Sequence, residues 1–293
     1  MPVAAIRYRA VLLDIDGTIL GRGKPEPTQR DSEAMAAAVA AGLEVHLNSG
    51  RNISGTLRVQ TPLGLVGEAF CYNGAVVHDP VAGKDLRHVR VADEATRACL
   101  DLAEAHDMAV FTFHDDQILT HDHPITSHGP LASRLRSAGV EAVRRRDELP
   151  STGITKLWLV TRENLEDEVR ARTAGMQCRW VTPRLHRIFP DAPAGGLLMS
   201  ATGATGMKRE ALEWLSAARG IPLSEMIMVG DDANDVEALE AAGLAVVVQD
   251  AHPRALATAD RLIAPPEEQG VAGFLEALSR GVLAGFPAPP TSP

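Results

Sequence analysis

Two aspartates one residue apart, Asp14 and Asp16, close an apolar run in the segment VLLDIDGTIL, residues 11–20. Three later stretches carry a comparable load of polar chemistry: NSGR with Ser49, Gly50 and Arg51, TGMK with Lys208, and GDDAND with Asp231, Asp232, Asn234 and Asp235. Each has an ordinary reading when taken alone. Aspartate and glycine are common turn residues, Ser49 or the Asp231–Asp232 doublet could cap a helix, and Lys208 could be a surface lysine. A cation in the first turn of a helix opposes the macrodipole, however, and so hints at an anionic partner. Together the four stretches suit phosphoryl transfer. Carboxylates crowded at one point tolerate one another when a divalent cation lies among them, and an oxygen-only ligand set with water suits Mg²⁺. Such an ion also holds a phosphate oxygen and screens an anionic nucleophile from an anionic substrate. A carboxylate can then attack phosphorus to form an aspartyl-phosphate. A neighbouring carboxyl can protonate the leaving alkoxide and later deprotonate water. Lys208 and the Ser49 hydroxyl would neutralise and hydrogen-bond the remaining phosphoryl oxygens.

These residues converge only if the elements before them are parallel strands ending on one edge. The front of the chain reads as strand Val11–Leu13, helix from about Asp31 to Ala41 and strand Leu43–Leu47, which is βαβ punctuation and predicts a parallel sheet. The pattern returns later as helix Lys208–Arg219, strand Met226–Val229, helix Ala233–Ala242, strand Leu244–Val248 and a short strand Arg261–Ile263. In such a sheet ligands bind beyond the carboxyl ends of the strands, where all four stretches fall. The intervening texture differs. Helix Asp93–His106 precedes a hairpin, Val110–Phe113 and Gln117–Thr120 around Asp115–Asp116, followed by strand Lys156–Val160, helix Asn164–Ala174, strand Arg179–Thr182 and a strand near Leu197–Met199. The expectation is an inserted α+β domain at 83–200 within a core made of 1–82 and 201–293, with Asp79–Gly83 and Ala201–Gly203 as hinges. The Pro-rich segment 281–293 should be a flexible tail.

Composition narrows the partners. The chain has 293 residues, enough for a substantial core, with 45% hydrophobic and 23% charged residues. A formal charge of −9 argues against nucleic acid, which needs a concentrated basic face. The one basic cluster, Arg144–Arg146, runs directly into Asp147 and Glu148 and reads as a solvated loop. No apolar run approaches the roughly 20 residues of a membrane helix, and Arg7 and Arg9 interrupt the only candidate signal core. Cys71, Cys99 and Cys178 are odd in number and widely spaced, which suggests neither a disulfide framework nor a zinc knuckle. A cytoplasmic protein is expected, with no nucleic-acid or membrane partner.

DIDGTIL, NSGR, Lys208 and GDDANDVEAL, taken in that order, resemble the motifs of haloacid dehalogenase (HAD) superfamily phosphatases, specifically Cof-type hydrolases with a class II, subtype B cap. YNGAVV (Tyr72–Val77), ITKLWLV (Ile154–Val160) and EEQGVAGFLEAL (Glu267–Leu278) resemble family segments as well, so the similarity runs nearly end to end. The resemblance implies a Rossmann-like parallel-sheet core with the inserted segment as a specificity cap, and a phosphatase acting on a small phosphorylated metabolite. It implies Asp14 as nucleophile and Asp16 as acid and base. It further implies Mg²⁺ held by Asp14, the Asp16 carbonyl and Asp231, with Asp235 supporting the metal shell. Phosphate binding falls to Ser49, Gly50, Arg51, Lys208 and Asn234. Ser49 stands where threonine is commoner, which keeps the hydroxyl.

Other features read more simply. His121-Asp122-His123, with His114 and His128 nearby, lacks a partner cluster at metal-ligand spacing and reads first as ordinary polar surface, with a substrate-facing role for His121 and His123, which share one strand face, as the alternative. GATGMK (Gly203–Lys208) lacks the GxxxxGK[ST] spacing of a P-loop. Trp158 and Trp214 lie in apolar patterns and are expected in the core. A sugar phosphomutase would use Asp14 identically, and a non-catalytic binding protein on the same fold is the alternative of another class.

Overall fold

The computed structural model describes residues 8–21, 24, 26–127, 140–143, 145–182, 196–283, 285 and 286. Arg7, His128, Arg144 and most of the Pro-rich tail lie outside the described residues. The described residues up to Arg87 and from Lys208 onward form one compact unit, and those of His88–Met207 form a second.

In the first unit five strands form a wholly parallel sheet. Ala10–Leu13 lies between Glu44–Leu47 on one side and Met226–Gly230 on the other, with Leu244–Val248 and Arg261–Ile263 beyond the latter. The strands are near-continuous apolar runs because helices cover both faces of such a sheet; Ala10, Val11, Leu12 and Leu13 are fully enclosed. The chain leaves the Ala10–Leu13 strand toward one neighbour and later builds on its other side. That makes a topological switch point at its carboxyl end, where the flanking loops splay apart and leave a crevice. The Asp14 N–H donates to the Val229 carbonyl (2.9 Å) and the Asn48 N–H to the Leu13 carbonyl (2.8 Å), so three loops depart from this point side by side. The Gln29–Ala40 helix starts two residues before the expected Asp31. Thr28 caps it, and Asp31 returns a bond to the Thr28 N–H in a full capping box.

A three-stranded sheet of Ala69–Cys71, Val76–Asp79 and Lys84–His88 was not anticipated. It changes the reading of Asp79–Gly83, which is a hairpin turn rather than a hinge. The Asp79 carboxylate accepts from the Val81 and Ala82 N–H groups, and Gly83 takes a positive φ of 62°. Ala201–Gly203 likewise belongs inside the Leu197–Gly203 strand, paired on both sides. The unit boundaries therefore fall at Arg87/His88 and Met207/Lys208 instead of near residues 83 and 200. Both displacements have one cause: strand pairing carries these segments past the Gly and Pro residues that mimic linkers in sequence.

The second unit carries a six-stranded sheet in the order Cys178–Val181, Leu197–Gly203, Lys156–Thr161, Ala109–His114, Gln117–His121, Val140–Val143. All its pairings are antiparallel except the last. The expected hairpin is present, with Asp115 and Asp116 both at positive φ (44° and 63°), as a two-residue turn matched to strand twist requires. Leu102 of the Asp93–Ala105 helix and Val169 of the Glu166–Arg172 helix bury against Val110, Leu157, Leu159 and Met199 of the sheet. Trp158 packs edge-on against Phe111 and Phe113, and Trp214 against Phe70. His121 and His123 are not surface residues. The Val110 N–H donates to the Nε2 of His121, and His123 bridges the Asp107 carbonyl and the Ile125 N–H, so both rings are buried as backbone partners. Among the described residues no helix is long and apolar enough to cross a membrane, and Cys71, Cys99 and Cys178 are free thiols.

Candidate active site

Lys208 organises the site. It is the first residue of the Lys208–Arg219 helix and is completely buried, with its ammonium 2.5 Å from Asp14 Oδ1 and 2.6 Å from Asp235 Oδ1. A cation in a helix's first turn is unfavourable, and burial alone would push the ammonium toward the neutral form. Asp14 and Asp235 more than offset that burial and hold it above the ordinary lysine range. The Asn48 side-chain amide donates to the Lys208 carbonyl (3.0 Å) and ties this helix to the end of the Glu44–Leu47 strand.

Asp231 joins Asp14 and Asp235 so that one carboxylate oxygen from each lies within 4.8 Å of the others, all three residues being buried. Three buried carboxylates thus meet in one cluster, and two of them, Asp14 and Asp235, pair with the one ammonium. Burial is the largest influence on Asp14 and raises its carboxyl well above the usual range; Lys208 opposes this, while Asp235 and Asp231 add to it. The cluster is short of positive charge and offers only oxygen donors, which fits a hard divalent cation such as Mg²⁺. The three residues differ in the partners that hold them. Both Asp235 oxygens are engaged, Oδ1 by Lys208 and Oδ2 by the Asp231 and Asp232 N–H groups at 3.0 and 2.9 Å. Asp231 Oδ1 accepts from the Thr18 hydroxyl (3.1 Å), which also lies 3.5 Å from Asp14 Oδ2.

This loop explains why the last helix of the motif starts late, at Val236 instead of Ala233. Asp235 turns its carboxylate back onto the preceding amides, so Ala233–Asp235 form a turn and Asp231 is no helix cap. Gly230 makes that possible: a Cβ there would stand 2.5 Å from the Asp235 carboxyl carbon.

Asp16 sits apart from the buried cluster. Its side chain is 59% exposed and is gripped by Arg51, with Nε to Oδ2 at 2.8 Å and Nη2 to Oδ1 at 2.6 Å. The planar guanidinium matches the carboxylate as a two-pronged fork. Burial would lower the Arg51 pKa, yet its bond and charge interaction with Asp16 raise it. Ser49 is fully buried, donates its N–H to the Phe70 carbonyl (2.8 Å) and accepts the Arg51 N–H on its hydroxyl (3.2 Å); Gly50, half-buried, joins the two. Asn234 donates to the side-chain oxygen of Asn73 at 2.9 Å. The fold therefore brings Asp14, Lys208, Asp231 and Asp235 into direct contact or near it, and couples Asp16 to Arg51. Thr18, Asn73 and Gly230 escaped the sequence reading. Thr18 lies within DIDGT, and Asn73-Gly74 is a pair that favours left-handed backbone, but neither signal reveals its partner.

A family model described as haloacid dehalogenase-like hydrolase matches residues 11–275. The chain belongs to the haloacid dehalogenase-like hydrolases. It is an enzyme of the phosphatase type within that family. Among curated relatives of this hydrolase, the putative phosphatase YxeH of Bacillus subtilis is 25% identical over 92% of this chain and 98% of its own. The phosphatase BT1666 of Bacteroides thetaiotaomicron superposes with a TM-score of 0.78 at 20% identity, over 96% of this chain and 98% of that one. The subclass IIB sugar phosphatase BT4131 superposes with a TM-score of 0.76 at 19% identity, over 93% and 99%. The fold of this hydrolase is thus the HAD core with its inserted antiparallel-sheet unit.

Proposed function

We propose that this hydrolase is a Mg²⁺-dependent phosphatase that releases phosphate from a small phosphorylated metabolite, such as a sugar phosphate, through an aspartyl-phosphate on Asp14. The observation that carries the reading is the buried cluster of three carboxylates, two of them paired with the Lys208 ammonium. Asp14 and Asp231, with the Asp16 carbonyl, would hold the ion, and Asp235 would orient Lys208 and the Asp231–Asp232 amides. When bound, the ion supplies charge that screens Asp14 from the phosphate and stabilises the transferring group. A carboxylate oxygen of Asp14 attacks phosphorus, and the bond from phosphorus to the leaving alkoxide breaks. Asp16, released from the Arg51 fork, gives its proton to that alkoxide. It then takes one from the water that cleaves the aspartyl-phosphate and restores Asp14. Ser49, Gly50, Arg51, Lys208 and Asn234 receive the phosphoryl oxygens.

All of these side chains come from the first unit, so choice among metabolites is assigned to His88–Met207. The sugar-phosphatase name of BT4131 favours a sugar phosphate. The three free thiols favour a reducing, cytoplasmic setting. The test is phosphate release from a panel of phosphomonoesters with and without Mg²⁺, combined with mass spectrometry of the quenched enzyme for one added phosphoryl group on Asp14. No release from any ester, or release without labelling at Asp14 under single-turnover conditions, refutes the proposal. Turnover that depends on a sugar bisphosphate activator would mark a mutase instead.

A further inference from the structure

Tyr72, Asn73 and Gly74 follow one another at φ values of 54°, 62° and 92°. Left-handed backbone is costly for residues that carry a Cβ, and two such residues in succession persist only when their surroundings hold them there. Here the conformation delivers consecutive amides to another loop. The Tyr72 N–H donates to the Arg51 carbonyl and the Asn73 N–H to the Ser49 carbonyl, both at 2.8 Å. Because a trans peptide is planar with its C=O and N–H opposed, pinning the Ser49 carbonyl turns the Gly50 N–H to the other side of that plane. The Gly74 carbonyl is itself anchored by Arg87 Nη1 at 2.7 Å. The Asn73 side chain completes the arrangement by accepting from Asn234 Nδ2 at 2.9 Å across 161 residues of sequence. With one amide hydrogen of Asn234 so committed, the planar amide fixes the direction of its other hydrogen and of its oxygen. Asn73 is buried, so this bond is shielded from competing water.

We propose that Asn73 is a positioning residue that holds two phosphate-receiving elements in register, the Ser49–Arg51 loop through its backbone and Asn234 through its side chain. The proposal rests on the phosphatase reading for the roles of Ser49 and Asn234. It also explains why asparagine stands there: its short side chain tolerates left-handed backbone and offers an acceptor at the right reach.

The test compares Asn73→Gly, which keeps the left-handed backbone and removes the side chain, with Asn234→Ala and the double variant. Calorimetric titration with inorganic phosphate in the presence of Mg²⁺ and hydrolysis of p-nitrophenyl phosphate are the two readouts. Asn73→Gly should weaken phosphate binding and lower kcat/KM by about 10- to 100-fold, the scale of a slightly misplaced contact, with melting unchanged within about 2 °C. In the Asn234→Ala background it should cost almost nothing more, since both changes remove one interaction. Wild-type phosphate affinity and turnover in Asn73→Gly would overturn the proposal, as would losses that multiply in the double variant. A wild-type enzyme that binds phosphate yet hydrolyses no phosphomonoester would count against the phosphatase reading alone, and the binding series would still decide the role of Asn73.

Discussion

Replacing Asp14 by asparagine should remove the activity without weakening the protein, and the structure gives the size of both effects. The neutral amide fills the same volume but cannot attack phosphorus, so turnover should drop by more than about a thousandfold, or ~4 kcal/mol of barrier at 1.36 kcal/mol per decade. The stability side follows from the cluster's charges. Asp231 and Asp235 place oxygens within 4.8 Å of Asp14. At an effective dielectric of about 20, each repels its charge by at least ~3.5 kcal/mol, or ~7 kcal/mol together. Lys208 at 2.5 Å returns ~6.6 kcal/mol by the same rule. The Coulomb terms nearly cancel, which leaves the desolvation of a buried carboxylate as the deciding cost; this is why burial raises the Asp14 pKa. In chelator, Asp14→Asn should therefore melt no lower than the wild type. The assays are phosphate release with Mg²⁺ and calorimetric melting in excess chelator, with the variant's mass checked for deamidation. Turnover within tenfold of the wild type would exclude Asp14 as the nucleophile. A melting temperature lowered by more than about 6 °C would show that the Asp14 charge is a net stabiliser, and the balance worked here would be wrong.

Chelation should abolish turnover and added Mg²⁺ restore it, whereas Asp231→Ala should stay inactive at ordinary Mg²⁺; full activity in excess chelator defeats the metal assignment. Gly230→Ala should displace the Asp235 carboxylate, whose carbon a Cβ would meet at 2.5 Å, costing about 1–3 kcal/mol in denaturant titrations together with most of kcat. A variant with unchanged midpoint and rate would mean that the loop yields freely. The buried His121 ring accepts the Val110 N–H, and burial first, then Arg146 and His123, hold its pKa below the ordinary value. The unfolded chain then binds the proton more readily, so this contribution to the stability of the 88–207 unit is complete above about pH 6.5 and is lost as pH falls through the lower native value. Hydrogen exchange within that unit, corrected for intrinsic rates, should show protection falling from pH 8 to pH 5 and a flatter response in His121→Gln; equal slopes would contradict the assignment. His123→Ala should lower stability and leave relative kcat/KM among phosphate esters unchanged, because its ring serves backbone groups; a changed preference would place it at the substrate.

The local chemistry of this chain was legible because it depends on short-range patterns. Apolar runs such as Val11–Leu13 and Met226–Val229 declare buried parallel strands, and carboxylates, a hydroxyl and a lysine directly after strand ends or at helix starts declare a site at one sheet edge. The strands and helices read from the same periodicities lie within a few residues of their observed ends, whereas the three-stranded sheet of Ala69–Cys71, Val76–Asp79 and Lys84–His88, the strand Val140–Val143 and the helices Ile53–Gln60 and Gly270–Ser279 were not legible in them. Tertiary structure decided what depends on partners distant in sequence. Which carboxylates share Lys208, and that Asp16 is held by Arg51 away from them, are set by the parallel register that joins Leu13 to Val229. The boundary of the inserted unit shifted because glycine and proline punctuate a hairpin turn and a linker alike, and only pairing across the sheet distinguishes them. His121 and His123 were misread as surface for a related reason: a polar ring is compatible with burial once backbone groups meet it, as the Val110 N–H does His121 and the Asp107 carbonyl does His123, and no local pattern announces those partners. Asn73 shows the limit most clearly. Asn-Gly announces a turn, but its bond to Asn234 arises only when the loop after Ala69–Cys71 of the three-stranded sheet meets the loop after Met226–Gly230 of the parallel sheet, 161 residues away in sequence.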